Sequence, residues 1–214
     1  MKIGFLAMSG IRAHDPKLLK LGLTLPGFVE RSKVIAALPS LSLLTLAGMT
    51  PDRYEVEYHE IADIRDAATL PECDLAAIST YTAQARDAYA VAARYREMGI
   101  ATVMGGLHAT VMPDEVLRHC DAVVVGEGEL SWPAVLNDAE RGRLKRVYEP
   151  NGRRFDRADA PMPRFELASP SKYNRFTVQT QRGCPWRCEF CASSVLLSPH
   201  HKLKPVAKIM DEIR

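Results

Sequence analysis

The chain predicts an α/β fold organised around a doubly wound parallel sheet. Short, near-continuous apolar runs alternate with stretches of helical period from residue 2 to about residue 140. Most of these runs lack the in-and-out alternation of a half-wet strand, so both sheet faces should be covered by helices. Several end in glycine or hydroxyl residues, as strands that stop beneath a ligand site do.

Ile3 to Met8 is the first run; the apolar stretch is too short for a signal peptide and suits a buried strand. Gly10 to Pro39 is a long connection with weak patterning, a kind that is usually functional or flexible. Ser40 to Gly48 enters through Pro39 and sets Leu41, Leu44 and Ala47 on one helical face. Arg53 to His59 alternates polar and apolar residues as a half-buried strand does, and Leu75 to Ser79 is an apolar strand. Thr82 to Met98 is the clearest helix: Ala85, Ala88, Tyr89, Ala92 and Tyr95 form a stripe, and Gly99 stands where a C-cap belongs. Ala101 to Met104 is the next strand. Pro113 opens a short helix at its first position, with Asp114 and Glu115 where the helix dipole favours acid. Ala122 to Val125 is a strand and Leu130 to Glu140 a helix. Five such strands fit a flavodoxin-like sheet, which binds ligands outside the carboxyl ends of its strands. Asn151 to Pro170, rich in Asp, Arg and Pro and without period, reads as a linker. The chain thus divides into residues 1–150, 151–170 and 171–214.

Composition narrows the function. With 28 basic against 26 acidic side chains, charge gives no reason to expect nucleic acid or an anionic membrane as partner. No stretch approaches a membrane span. The five cysteines are odd in number and three are clustered, which argues against a disulfide framework and for a cytoplasmic protein. Cys73 and Cys120 sit beside apolar strands and read as small buried hydrophobes.

Three predicted strand ends carry polar loops: Ser79-Thr80-Tyr81-Thr82, Gly105-Gly106-Leu107-His108-Ala109-Thr110 and Gly126-Glu127-Gly128-Glu129. Glycine lets a ligand approach the backbone or supplies a positive φ. Three such loops on one sheet edge suit a large polar ligand. Neither a G-x-G-x-x-G nor a P-loop pattern is present, so a dinucleotide or P-loop nucleotide has no support.

Arg182-Gly183-Cys184-Pro185-Trp186-Arg187-Cys188-Glu189-Phe190-Cys191 spaces three cysteines as C-x3-C-x2-C. Three thiolates suit an iron–sulfur cubane with one iron left open. They also suit a structural zinc completed by His200 or His201. The flanks bear on the choice: Thr177 to Thr180 reads as a strand entering the loop. Pro205 to Arg214 reads as the start of a helix, with Val206, Ile209, Met210 and Ile213 at helical spacing. A zinc knuckle has no need of a strand and a helix.

The cysteine spacing, with Phe190 before the last Cys, resembles the signature of the radical S-adenosylmethionine (radical SAM) enzymes. The Gly105–Thr110 stretch, Pro113-Asp114-Glu115, Asp121 and Gly126–Glu129 resemble the cobalamin (B12)-binding domain that precedes many radical SAM barrels. The resemblance implies a cobalamin-binding α/β domain followed by the first βα unit of a radical SAM barrel, whose later strands would follow Arg214. The chain alone would then be incomplete for catalysis. It implies that Cys184, Cys188 and Cys191 ligate a [4Fe–4S] cluster and that Phe190 lies against the adenine of S-adenosylmethionine. Ser79, Thr80, Gly105, Gly106, His108, Gly126 and Gly128 would hold cobalamin. The D-x-H-x2-G motif of other cobalamin proteins is absent, neither His14 nor His108 standing in such a context, so binding without an axial protein His is expected. The implied activity is reductive cleavage of S-adenosylmethionine for radical methylation, or for rearrangement or cyclisation, of a small-molecule or lipid substrate. An electron donor such as flavodoxin or ferredoxin would be a partner. The alternative is a non-catalytic corrinoid- or nucleotide-binding α/β module with a structural Cys3His zinc site.

Overall fold

A computed structural model describes residues 1–8, 38–61, 64, 70–169, 173, 176–186, 188–191 and 200–214. The expected connection from Gly10 to Pro39 lies outside the described residues apart from its last two.

Six parallel strands form one sheet in the order β2-β1-β3-β4-β5-β6. They are β1 (Lys2–Met8), β2 (Glu55–Ile61), β3 (Leu75–Ser79), β4 (Ala101–Gly105), β5 (Ala122–Val124) and β6 (Val147–Tyr148). The first five keep the 2-1-3-4-5 order of a flavodoxin-like fold. The strand β6 extends this sheet at the β5 edge. Two residues are too few to show a period. What fixes them is Tyr148, buried, whose hydroxyl donates to Asp138 Oδ2 at 3.0 Å.

Alternation along β1 divides the core. Leu6 and Met8 face one layer, with Ile78, Met104 and Val123, beneath α2 (Ala85–Glu97). Ile3, Phe5 and Ala7 face the other, beneath α1 (Leu41–Met49) and α5 (Gly128–Glu140). The expected stripe of α2 is used as read: Ala88, Ala92 and Tyr95 are fully buried. Phe5 meets Trp132 with ring centroids 5.4 Å apart, and the Trp132 indole N–H donates to Thr50 Oγ1 at 2.9 Å. Between β4 and β5 lie two short helices, α3 (Leu107–Val111) and α4 (Pro113–Val116). The first forms within a stretch that the sequence suggested was all loop.

The linker region is not an extended tether. Two 3₁₀ turns, Arg157–Asp159 and Phe165–Leu167, fold it back, and Phe155, Arg157, Ala160 and Ala168 are buried. The Arg164 N–H donates to Leu44 O at 3.0 Å. At Gly48 a Cβ would stand 2.1 Å from Met162 O, so only glycine allows this approach to α1.

Beyond the linker, residues 177–180 do not form the expected strand. The strand β7 is Gln181–Arg182, and it pairs antiparallel with β8 (Lys202–Leu203). A strand needs a neighbour for its N–H and C=O groups. Here the limb returning from the cysteine loop supplies it, and Lys204 N–H adds a bond to Thr180 O at 2.8 Å. The helix α6 (Val206–Ile213) follows, as its spacing predicted. Among the described residues no helix is long and apolar enough to cross a membrane.

Leu6, on β1, is fully buried. Leu6→Ala should lower unfolding free energy by about 2–5 kcal/mol in urea titration. A loss below about 1 kcal/mol would contradict this packing.

Candidate functional site

A cavity of about 420 Å³ opens at the carboxyl ends of β3, β4 and β5. Ser79, Gly105, Gly106, Gly126 and Gly128 line one side, with Val103, Val124 and Trp132 among the apolar residues of the wall. Gln179, Gln181, Arg182, Gly183 and Cys184 line the other. A second hollow of about 600 Å³ shares Ser42, Ser79, Gln179 and Arg182 with the first. A ligand larger than either could therefore run along the sheet edge through both.

Glycine is required where the cavity wall turns. Gly106 has φ 97°, and a Cβ there would stand 2.9 Å from Thr80 O. Gly126 has φ 77°. Thr110 ties the two glycine loops together: its hydroxyl donates to Gly106 O at 2.9 Å and accepts from Gly126 N–H at 3.0 Å. In the sequence, the only mark of this role is a hydroxyl spaced between two glycine pairs.

Thr80 and His108 are not among the lining residues. Thr80 is buried, and its carbonyl accepts from His108 N–H, so it supports the Gly106 turn through its backbone. His108 is 4% exposed, with both ring nitrogens occupied. Nε2 lies 2.8 Å from Tyr89 Oη and Nδ1 lies 3.2 Å from Thr82 Oγ1. The Tyr89 hydroxyl gives its one hydrogen to Glu115 Oε1 at 2.9 Å, so Nε2 of His108 carries a hydrogen and donates to Tyr89. Burial, then the hydrogen bond to Glu115, pushes the Tyr89 hydroxyl up to about 12. His108 thus braces α3 against α2.

The three clustered cysteines lie outside the core. Cys184 lines the cavity, Cys191 is half-buried and Cys188 is exposed; Cys191 N–H donates to Cys188 O at 3.0 Å. Among the described residues no three His, Cys, Asp or Glu side chains converge as a preformed metal site. The donor set fits a thiophilic metal by its chemistry: three soft ligands on one accessible loop. Cys73 and Cys120 differ. Both are buried, and burial raises their thiols, Cys120 to about 11, which keeps them protonated and inert. His201 Nε2 lies 2.8 Å from Gln181 Oε1, across the β7–β8 ribbon. Phe190 is 92% exposed.

The two glutamates of the Gly-Glu-Gly-Glu loop have a use that the sequence did not reveal. Arg182 places Nη1 3.1 Å from Glu129 Oε2 and Nη2 2.7 Å from Glu129 Oε1, a two-pronged pair, and Nη1 also reaches Glu127 Oε1 at 3.1 Å. Lys202 Nζ reaches Glu127 Oε2 at 2.7 Å. Arg157, itself buried, lies 3.4 Å from Glu129 Oε1. Burial alone would raise the Glu127 carboxyl. Lys202, the Phe155 N–H and Arg182 outweigh it and hold the carboxyl below its ordinary value.

A depressed carboxyl stabilises the fold fully above its ordinary value of 4.5, and the contribution is lost as pH falls through the lower native value. The stability gap between wild type and Glu127→Gln should therefore be constant near neutrality and shrink as pH falls below 4.5 in urea titrations. A gap that does not change with pH would show that Glu127 is not held ionised by these partners.

Comparison with known proteins agrees with this geometry. Residues 32–136 match the family model of the B12 binding domain. The chain is 29% identical over 182 residues to the bacteriochlorophyllide d C-12(1)-methyltransferase of Chlorobaculum tepidum, covering 81% of this chain and 39% of that protein. It is 29% identical over 230 residues to an uncharacterized methyltransferase of Pyrococcus horikoshii, covering 92% and 50%. It is 28% identical over 187 residues to the hopanoid C-2 methylase of Rhodopseudomonas palustris, covering 84% and 35%. The chain thus spans between about a third and a half of the length of these relatives. With the glycine-lined edge of a flavodoxin-like sheet and the matching family model, residues 32–136 belong to the B12-binding domain family.

Proposed function

We propose that the chain is part of a cobalamin-dependent radical SAM enzyme that methylates a small-molecule or lipid substrate. The observation that carries this reading is that Cys184 and the glycine loops of the B12-binding domain line one cavity. The relatives' names, methyltransferase and methylase, favour methylation over rearrangement or cyclisation. In this reading residues 1–150 bind cobalamin, 151–170 are the linker, and 171–214 begin a radical SAM barrel.

When bound, the cluster supplies the electron that cleaves S-adenosylmethionine, and cobalamin supplies the transferable methyl group. The chain's own residues bind and orient. Gly105, Gly106, Gly126 and Gly128 expose backbone along which a corrin could lie closely. Ser79, Gln179 and Gln181 offer hydrogen-bonding groups to its amide side chains. Thr80 and His108 shape that wall from behind it, and cobalamin would be held without His108, whose two ring nitrogens have protein partners. Cys184, Cys188 and Cys191 would hold the [4Fe–4S] cluster, and exposed Phe190 would lie beside S-adenosylmethionine. An electron donor such as flavodoxin or ferredoxin supplies reducing equivalents, and the thiol-rich loop is read as belonging in the cytoplasm.

Anaerobic reconstitution should give a brown protein with iron and sulfide in equal amounts. Replacing Cys184, Cys188 or Cys191 by Ala should leave less than about a tenth of that content, while Cys73→Ala and Cys120→Ala keep it. A colourless protein with one zinc, or full iron in the triple Ala variant, would overturn the cluster. Hydroxocobalamin should bind, and Gly106→Val should weaken it by about tenfold or more. The cob(II)alamin spectrum should be the same in His108→Ala; loss of a nitrogen splitting in that variant would make His108 an axial ligand.

A further inference from the structure

The ionic cluster beside the cavity holds both limbs of the cysteine loop. Residues 183–201 leave from β7 and return through β8. Arg182 is the last residue of β7, two before Cys184, and Lys202 is the first of β8. Both meet Glu127, which stands between the cavity-lining Gly126 and Gly128. Arg182 also forks onto Glu129. Each end of the loop is therefore pinned to the same short stretch of the B12-binding domain.

Burial makes these pairs consequential. Side-chain exposure is 7% for Glu129, 14% for Glu127 and Lys202, and 23% for Arg182. Exposed pairs contribute little to stability, but without Arg182 buried Glu129 keeps only the 3.4 Å contact with Arg157, and without Glu129 both Arg182 and buried Arg157 lose a shared partner, so a charge short of partners gains by reaching water. The least costly route to water is movement of the β7–β8 ribbon, which contains only two residues in each strand. The sheet beneath is held by six strands and two apolar layers, so it should stay folded when the ribbon lifts.

We propose that Glu127, Glu129, Arg182 and Lys202 form a charge clasp that positions the cysteine loop against the glycine loops. These are positioning residues, since none needs to touch a reacting atom. The proposal rests on the reading above only for what the loop carries; that the clasp fixes the loop is a separate statement.

The test is alkylation of the metal-free chain with a maleimide, resolved cysteine by cysteine by peptide mass spectrometry. Cys73 and Cys120, buried in the core, report whether the fold is intact. Arg182→Gln and Glu129→Gln should each speed Cys184 alkylation by about tenfold or more, while Cys73 and Cys120 stay protected. Arg182→Lys should fall between, since a point charge replaces the fork. Arg164→Gln, which breaks the exposed pair with Glu166, should leave all rates unchanged. Unchanged Cys184 rates in both Gln variants would overturn the clasp. Cys73 and Cys120 reacting in step with Cys184 would overturn it too, by showing that the network stabilises the whole fold and not the loop. Failure of wild type to take up iron or cobalamin would instead remove the proposed function and leave the alkylation result standing.

Discussion

A parallel sheet covered on both faces leaves a ligand one place to bind, the edge where its strands end. That constraint governs this molecule. The alternation of β1 sends Leu6 and Met8 into one layer and Ile3, Phe5 and Ala7 into the other, and helices close both. The loops after β3, β4 and β5 are then the exposed features of a rigid frame. Their glycines allow the backbone to turn where side chains would collide, as at Gly106 against Thr80.

The same edge receives the cysteine loop. Charged partners hold it there. Glu127, in the loop after β5, and Glu129, in the first turn of α5, meet Arg182 and Lys202 on the two limbs of the β7–β8 ribbon. Buried charges give such a joint directional specificity: it aligns the loop when all partners are present and loses that alignment when one is removed. Apolar packing would hold the ribbon less selectively. One cavity thus has a wall of glycine backbone facing a wall that includes Cys184.

The sequence made the frame legible because its signals were local and repeated. The stripe from Ala85 to Tyr95 and the apolar run Leu75 to Ser79 are single-element patterns that packing did not override. The strand β6 was hidden by its length, and α3 by glycines that read as loop. The strand expected at residues 177–180 moved to 181–182 because its ladder partner lies across the cysteine loop, a non-local fact that no window of sequence contains. At the site, Ser79 and the four glycines fell where the spacing of strands put them. The use of Glu127 and Glu129 did not, since their partners lie 28 to 75 residues away. His108 looked like a ligand contact because a polar residue after a strand end carries no mark of which way it turns; Tyr89 and Thr82 decide that.

The glycine-lined sheet edge and the start of the cysteine loop face each other across one cavity. Magnetic coupling between the two proposed cofactors would report it. The chain loaded with both would be reduced anaerobically so that cob(II)alamin and the cluster are each paramagnetic, and its electron paramagnetic resonance spectrum compared with those of chains carrying one cofactor. Signals broadened or split by mutual coupling are expected. A spectrum equal to the sum of the two separate ones, with both cofactors at full occupancy, would contradict it.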